Sequence, residues 1–166
     1  MGCDIHVFVE KKEDDSGFVW GLDASIESEW ATEIRNSEDF EQETINISGC
    51  NEPVPVPQES IDVTRNYALF GVLADGVRWD SPIAFKQRGV PKDVSYSVEA
   101  ANISWQGDGH SHSWVTTAEL LEKRTELHLY PNEQHEYAIH GIDEILKALP
   151  PAENPHQQRI VFWFDN

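Results

Sequence analysis

Two histidines and an aspartate stand at alternate positions in the run Gly107-Asp108-Gly109-His110-Ser111-His112-Ser113-Trp114. In an extended chain alternate side chains share a face, so Asp108, His110 and His112 are expected to point the same way. Imidazole and carboxylate are ligand types that hold zinc, manganese, iron or nickel. Gly107 and Gly109 leave room for a close approach to the backbone. A second polar pair, Asp4 and His6, shares one face of the stretch 3–10, whose other face carries Cys3, Ile5, Val7 and Val9. Taken together, Asp4, His6, Asp108, His110 and His112 are candidate ligands for one or two divalent metal ions, zinc or manganese being expected, with Asp75 a possible sixth. The plain alternative is a polar turn with surface histidines.

A metal in such a site would acidify a bound water and polarise a phosphoryl or carbonyl oxygen. Arg78, Lys86, Arg88 and Lys92 form the densest basic segment of the chain. Arg78, Arg88 and Lys92 are placed to clamp a small anionic substrate, with Trp114 as a further contact. The alternative is that these bases pair with Asp75, Asp80 and Asp93. The chemistry expected is metal-dependent hydrolysis of a small phosphorylated substrate, with Asp108, Arg78 and Arg88 as catalytic residues. His140 is a further candidate ligand, while His128 reads as structural. Cys3 and His6 fall on opposite faces of a strand, which argues against a Cys–His nucleophile. No G-x-S-x-G elbow, phosphate loop or dinucleotide fingerprint is present.

The charge narrows the partners. The 166 residues carry a net charge of −18. Residues 1–60 hold 15 acids and 3 bases, residues 61–105 hold 5 of each, and residues 106–166 hold 10 acids and 4 bases. Such a surface repels phosphate backbones, so binding to long nucleic acid is not expected. The neutral middle third is where an anion meets least repulsion. Cys3 and Cys50 form no C-x-x-C pair, and no apolar run reaches the roughly 18–20 residues that span a bilayer. A reduced, cytoplasmic protein with no membrane segment is the expectation.

The elements that must hold these residues read as one α+β domain. A mixed or antiparallel sheet is expected, with the N- and C-terminal strands central and several short helices around it. Residues 3–10 alternate as a strand, and 18–22 read as its hairpin partner across a charged turn at 11–17. A short acidic helix is expected at 37–43, a short strand at 45–47, and a surface loop at 51–60, where Pro53, Pro55 and Pro57 enforce extended chain. Residues 65–74 read as a buried helix capped by Thr64 and stopped at Asp75-Gly76. A helix over 93–105 is capped by Asp93 or Ser95. The histidine loop 107–115 then leads into a helix through the capping box Thr116-Thr117-Ala118-Glu119. A last helix is expected at 142–149, ended by Pro150-Pro151. Residues 159–164 close as an apolar strand beside the first, which brings Asp165 to Asp4 and His6.

Several segments carry a family likeness. Met1-Gly2-Cys3-Asp4-Ile5-His6, Arg65-Asn66-Tyr67 through Asp75-Gly76-Val77-Arg78, residues 88–95, Asp108 to Trp114, and Phe162-Trp163-Phe164-Asp165-Asn166 resemble a family of small uncharacterised proteins of bacteriophages and bacteria. That resemblance implies a setting in nucleotide metabolism or counter-defence, in the cytoplasm of a host cell. Asp4-Ile5-His6 and Gly109-His110-Ser111-His112 are also similar to the first D-x-H and closing G-H-x-H of calcineurin-like metallophosphoesterases. The G-D-x-x-D and G-N-H-E segments of that family are missing here. This similarity implies only a metal-ligand role for Asp4, His6, His110 and His112. Two rival functions remain open: a non-catalytic binder that sequesters a small nucleotide through the basic loop 78–92, and an acidic nucleic-acid mimic acting through residues 13–59.

Overall fold

A computed structural model describes residues 2–12 and 19–166. The charged turn expected at 11–17 lies almost wholly outside the described residues. Four strands form an antiparallel sheet: β1 (Ile5–Lys12), β2 (Trp20–Leu22), β5 (His110–Thr116) and β6 (Gln158–Phe164), in the order β2-β1-β6-β5. The two terminal strands are central, as their β-branched and aromatic runs predict. Ile5 pairs with Phe164 and Lys11 with Gln158, so the register covers most of both strands. Two further strands, β3 (Thr44–Ile45) and β4 (Val54–Pro55), form a separate ribbon.

Five α-helices are described: α1 (Glu29–Arg35), α2 (Tyr67–Leu73), α3 (Tyr96–Ser104), α4 (Thr117–Leu129) and α5 (Glu133–Ala148). Strand alternation sorts the core into two layers. Ile5, Val7, Val9, Ile160, Phe162 and Phe164 face α2, α4 and α5, where Leu69, Leu73, Leu120, Leu127, Ile142 and Ile145 meet them. Phe8, Val161 and Trp163 face the other way, onto Val98 and Ala101 of α3 and Val56 beyond the ribbon. The result is an α+β fold with its sheet covered on both faces. Among the described residues no helix is long and apolar enough to cross a membrane.

Local chemistry sets the helix ends. The Thr116–Glu119 capping box is present in full, and Ser95 caps α3 by accepting from the Val98 N–H at 3.3 Å. The cap of α2 is Asn66 and not Thr64; its side chain accepts from the Leu69 N–H at 3.0 Å. The acidic segment 37–43 is not helical. The helix lies earlier, at α1, because Ser28 accepts from the Ala31 N–H and Glu29 and Arg35 sit at the dipole ends they favour. Helix α5 is twice the expected length. Asn132 caps it by accepting from the His135 N–H, and its first turns are polar, which hid them from an apolar pattern. Gly141 lets α5 press on α2, since a Cβ there would stand 2.8 Å from Leu69 Cδ2.

The histidine run is also not a loop. It is the edge strand β5, and the neighbouring basic segment covers part of its free edge. The Gly89 N–H donates to the His112 carbonyl at 2.9 Å, and the Arg88 N–H to Ser113 Oγ at 3.2 Å.

Candidate functional site around His6, His112 and Trp163

His6 stands on the α3-facing side of β1, in register with Trp163 of β6. The indole of Trp105, at the end of α3, covers it with ring centroids 3.9 Å apart. Two carboxylates hold the imidazole. Glu59 bonds Nδ1, and Asp165 Oδ2 lies 3.3 Å from Nε2, close enough for an ion pair but not aligned as a hydrogen bond. Glu59 is delivered by the proline-rich segment, which lies along β1. The Ser60 N–H donates to the Val7 carbonyl at 2.9 Å, and the Val9 N–H donates to Ser60 Oγ at 3.0 Å. Burial alone would lower the His6 pKa, but the Glu59 hydrogen bond and the charges of Glu59 and Asp165 override it and hold the pKa above the ordinary 6.5.

A bulge shapes β5. His110 pairs with Phe164 and Ser113 with Phe162, so Ser111 and His112 together oppose Trp163. Ser111 takes a left-handed φ of 52° to make the bulge. The extra residue reverses the alternation between the two histidines. The His110 ring lies 6.1 Å from the ring of Phe164, on the α2/α4/α5 side, while the His112 ring lies 5.5 Å from the indole of Trp163, on the α3 side. Asp108, His110 and His112 therefore do not share one face, because the rule of two assumes an unbroken ladder.

His112 is half-buried and its ring takes no hydrogen bond among the described residues. Burial lowers its pKa, and the neighbouring His110 lowers it further, so the neutral imidazole prevails. The turn before the strand closes over the same spot. A Cβ on Gly109 would stand 3.1 Å from Trp163 Cδ1, 3.3 Å from His112 Nε2 and 3.4 Å from the Trp105 carbonyl oxygen. Four buried side-chain polar atoms have no hydrogen-bond partner among the described residues: His6 Nε2, His110 Nε2, His135 Nε2 and Trp163 Nε1. Three of the four belong to adjacent register positions at this end of the sheet.

The other expected site residues are spread apart. Asp4 is exposed and accepts two hydrogen bonds from Arg65, at 2.9 and 2.6 Å, which hold its carboxyl below the usual range. Asp75 pairs with Lys86. Asp108 is exposed, and its backbone N–H donates to the Trp105 carbonyl at 3.2 Å. His140 lies on the exposed side of α5, 3.5 Å from Glu144. Among the described residues no group of three or more His, Cys, Asp or Glu side chains is gathered to hold a metal ion. Asp4, His6, Asp108, His110 and His112 thus do not form one ligand set as they stand.

The bases are equally dispersed. Arg88 forks onto Glu119 at 3.0 and 2.6 Å and lies 4.8 Å from the Trp114 ring. Arg78 donates to the Gly2 carbonyl at 3.1 Å and to Asn166 Oδ1 at 3.2 Å. Lys92 is exposed and lines hollows beside Val94 and Tyr96. Trp114 is half-buried between Arg88 and Arg159.

Glu59, Trp105 and Trp163 are parts of the site that sequence reasoning missed. Trp163 was legible only as a core residue, and nothing local to Glu59 signals a partner 53 positions away. Compared with family models, with curated proteins and with solved structures, the chain finds no match in any of the three.

Proposed function

We propose that the chain is a small-molecule hydrolase whose site lies at the β5 bulge, where His112, Trp163 and the 105–109 turn meet. One observation carries the reading: Trp163 Nε1, a buried donor with no partner among the described residues, lies on the same side of the sheet as the His112 ring, beside the left-handed Ser111. Such an atom costs about 1–3 kcal/mol when nothing pairs it, and an orphaned donor beside a left-handed residue supports a site that a ligand completes. His112 is the general base, because it is neutral, partnerless and half-open. Trp163 Nε1–H is a donor awaiting an acceptor. His6 does not touch the substrate; both its nitrogens face carboxylates, and it positions Trp105 and Asp165. A metal-assisted version of the same chemistry would keep His112 as a ligand, and His110, on the other side of the bulge, would join it only if the bulge rearranged.

The test is turnover of p-nitrophenyl acetate, phosphate and bis-phosphate by the wild type and His112→Ala, with and without a chelator, each variant checked for an unchanged melting temperature. Hydrolysis of one class is expected, with kcat/KM rising through a midpoint below 6.5 and falling about 100-fold or more in His112→Ala. Loss of turnover on chelation selects the metal-assisted version. Turnover that survives His112→Ala overturns the assignment. Saturable binding with no turnover replaces the enzyme with a sequestering binder.

A further inference from the structure

We infer that a second hollow, between α1 and the end of α3, is a binding site for a small organic cation. It encloses about 300 Å³ and is walled by the indoles of Trp30 and Trp105. Glu43, Glu59 and Asp108 line it, and no lysine or arginine does. Glu59 is offset by His6. Glu43 accepts from Ser104 Oγ at 2.8 Å, a neutral donor. The Asp108 carboxylate has no side-chain partner among the described residues. Two negative charges therefore stand uncompensated beside two aromatic walls.

Trp30 is 49% exposed although it is the largest side chain of α1. Leaving an indole in water is unfavourable unless something covers it. An ammonium group meets both demands of the hollow: the ring faces attract it through their quadrupoles, and the carboxylates attract its charge. A metal ion gains less from the indoles, because it must shed tightly held water to reach a ring face. An anion would meet only repulsion. The net charge of −18 raises the concentration of cations around the whole molecule. The hollow shares the 105–109 turn with the proposed hydrolase site, but it is not lined by His112 or Trp163 and binding there requires no reaction, so the two readings can fail separately.

The experiment is an NMR and fluorescence titration of the full chain with tetramethylammonium, with sodium at matched ionic strength and inorganic phosphate as comparisons. Saturable shifts of two indole N–H signals are expected with tetramethylammonium alone. Trp30→Ala, at an exposed position, should weaken binding about five-fold or more. Asp108→Asn should weaken it less and flatten its salt dependence. Equal shifts with sodium, affinity undiminished in Trp30→Ala, or saturable binding of phosphate at the same indoles would each overturn the inference.

Discussion

His6 and His112 flank one tryptophan, and their surroundings drive their protonation in opposite directions. The folded His6 binds its proton more tightly than the unfolded chain does, because Glu59 and Asp165 face it. Its stabilising contribution is complete below the ordinary 6.5 and is lost as pH rises through the raised folded value. The folded His112 resists protonation because of burial and of His110. It costs stability in acid, and that cost vanishes as pH climbs past 6.5. The two residues therefore act in separate windows. His6→Gln should destabilise by roughly 3 kcal/mol at pH 6, leaving two carboxylates unneutralised, and by clearly less at pH 9. His112→Gln should improve relative to the wild type only on the acid side. Melting curves of all three proteins from pH 5 to 9 measure both effects. A gap between wild type and His6→Gln that stays constant over that range would show that His6 is held by packing and not by charge.

At the scale of elements, the central strands are locked by a buried ionic node. Arg159 of β6 is 1% exposed, with the Trp20 ring 4.0 Å from its guanidinium. It donates to Glu10 Oε2 of β1 at 2.7 Å and to Asp93 Oδ1 at 2.8 Å. The other Glu10 oxygen accepts from the N–H of Ser95, the cap of α3, at 2.8 Å. One carboxylate thus joins β1, β6 and the start of the helix that carries Trp105. Glu10→Gln should cost about 3 kcal/mol in urea unfolding, because a buried guanidinium loses its fully buried partner. Adding Arg159→Met should cost less than the sum of the two single changes. Strictly additive losses would mean that the pair is not a unit. Much of this framework was legible in the sequence: alternation gave β1, the unbroken apolar run gave β6 beside it, and the Thr116 box gave α4. The site was less legible. A bulge is a backbone event at Ser111 that no side-chain pattern announces, and it turned one shared face into two. Glu59 reaches His6 only through the fold. Helix α5 begins in the polar turn Glu133-Gln134-His135-Glu136, whose buried member is a histidine and not an apolar residue.

For the molecule as a whole, acidity is the dominant long-range force. At neutral pH a charge of −18 repels itself, and 15 of the 30 acids fall within residues 1–60. The compensating pairs are short and local, such as Asp4–Arg65 at 2.6 Å and Arg124–Asp143 at 2.5 Å. Adding about 0.5 M sodium chloride shortens the screening length to roughly 4 Å, which removes the collective repulsion but spares contacts inside that distance. Salt should therefore raise the melting temperature by several degrees at pH 7. Near pH 4.5, the sequence isoelectric point, there is no net charge to screen, and salt should leave the melting temperature level or lower it by weakening the remaining pairs. Calorimetry at the two pH values, with and without salt, decides the matter. A fall of equal size at both would place the ion pairs, and not the self-repulsion of the acids, in control of stability.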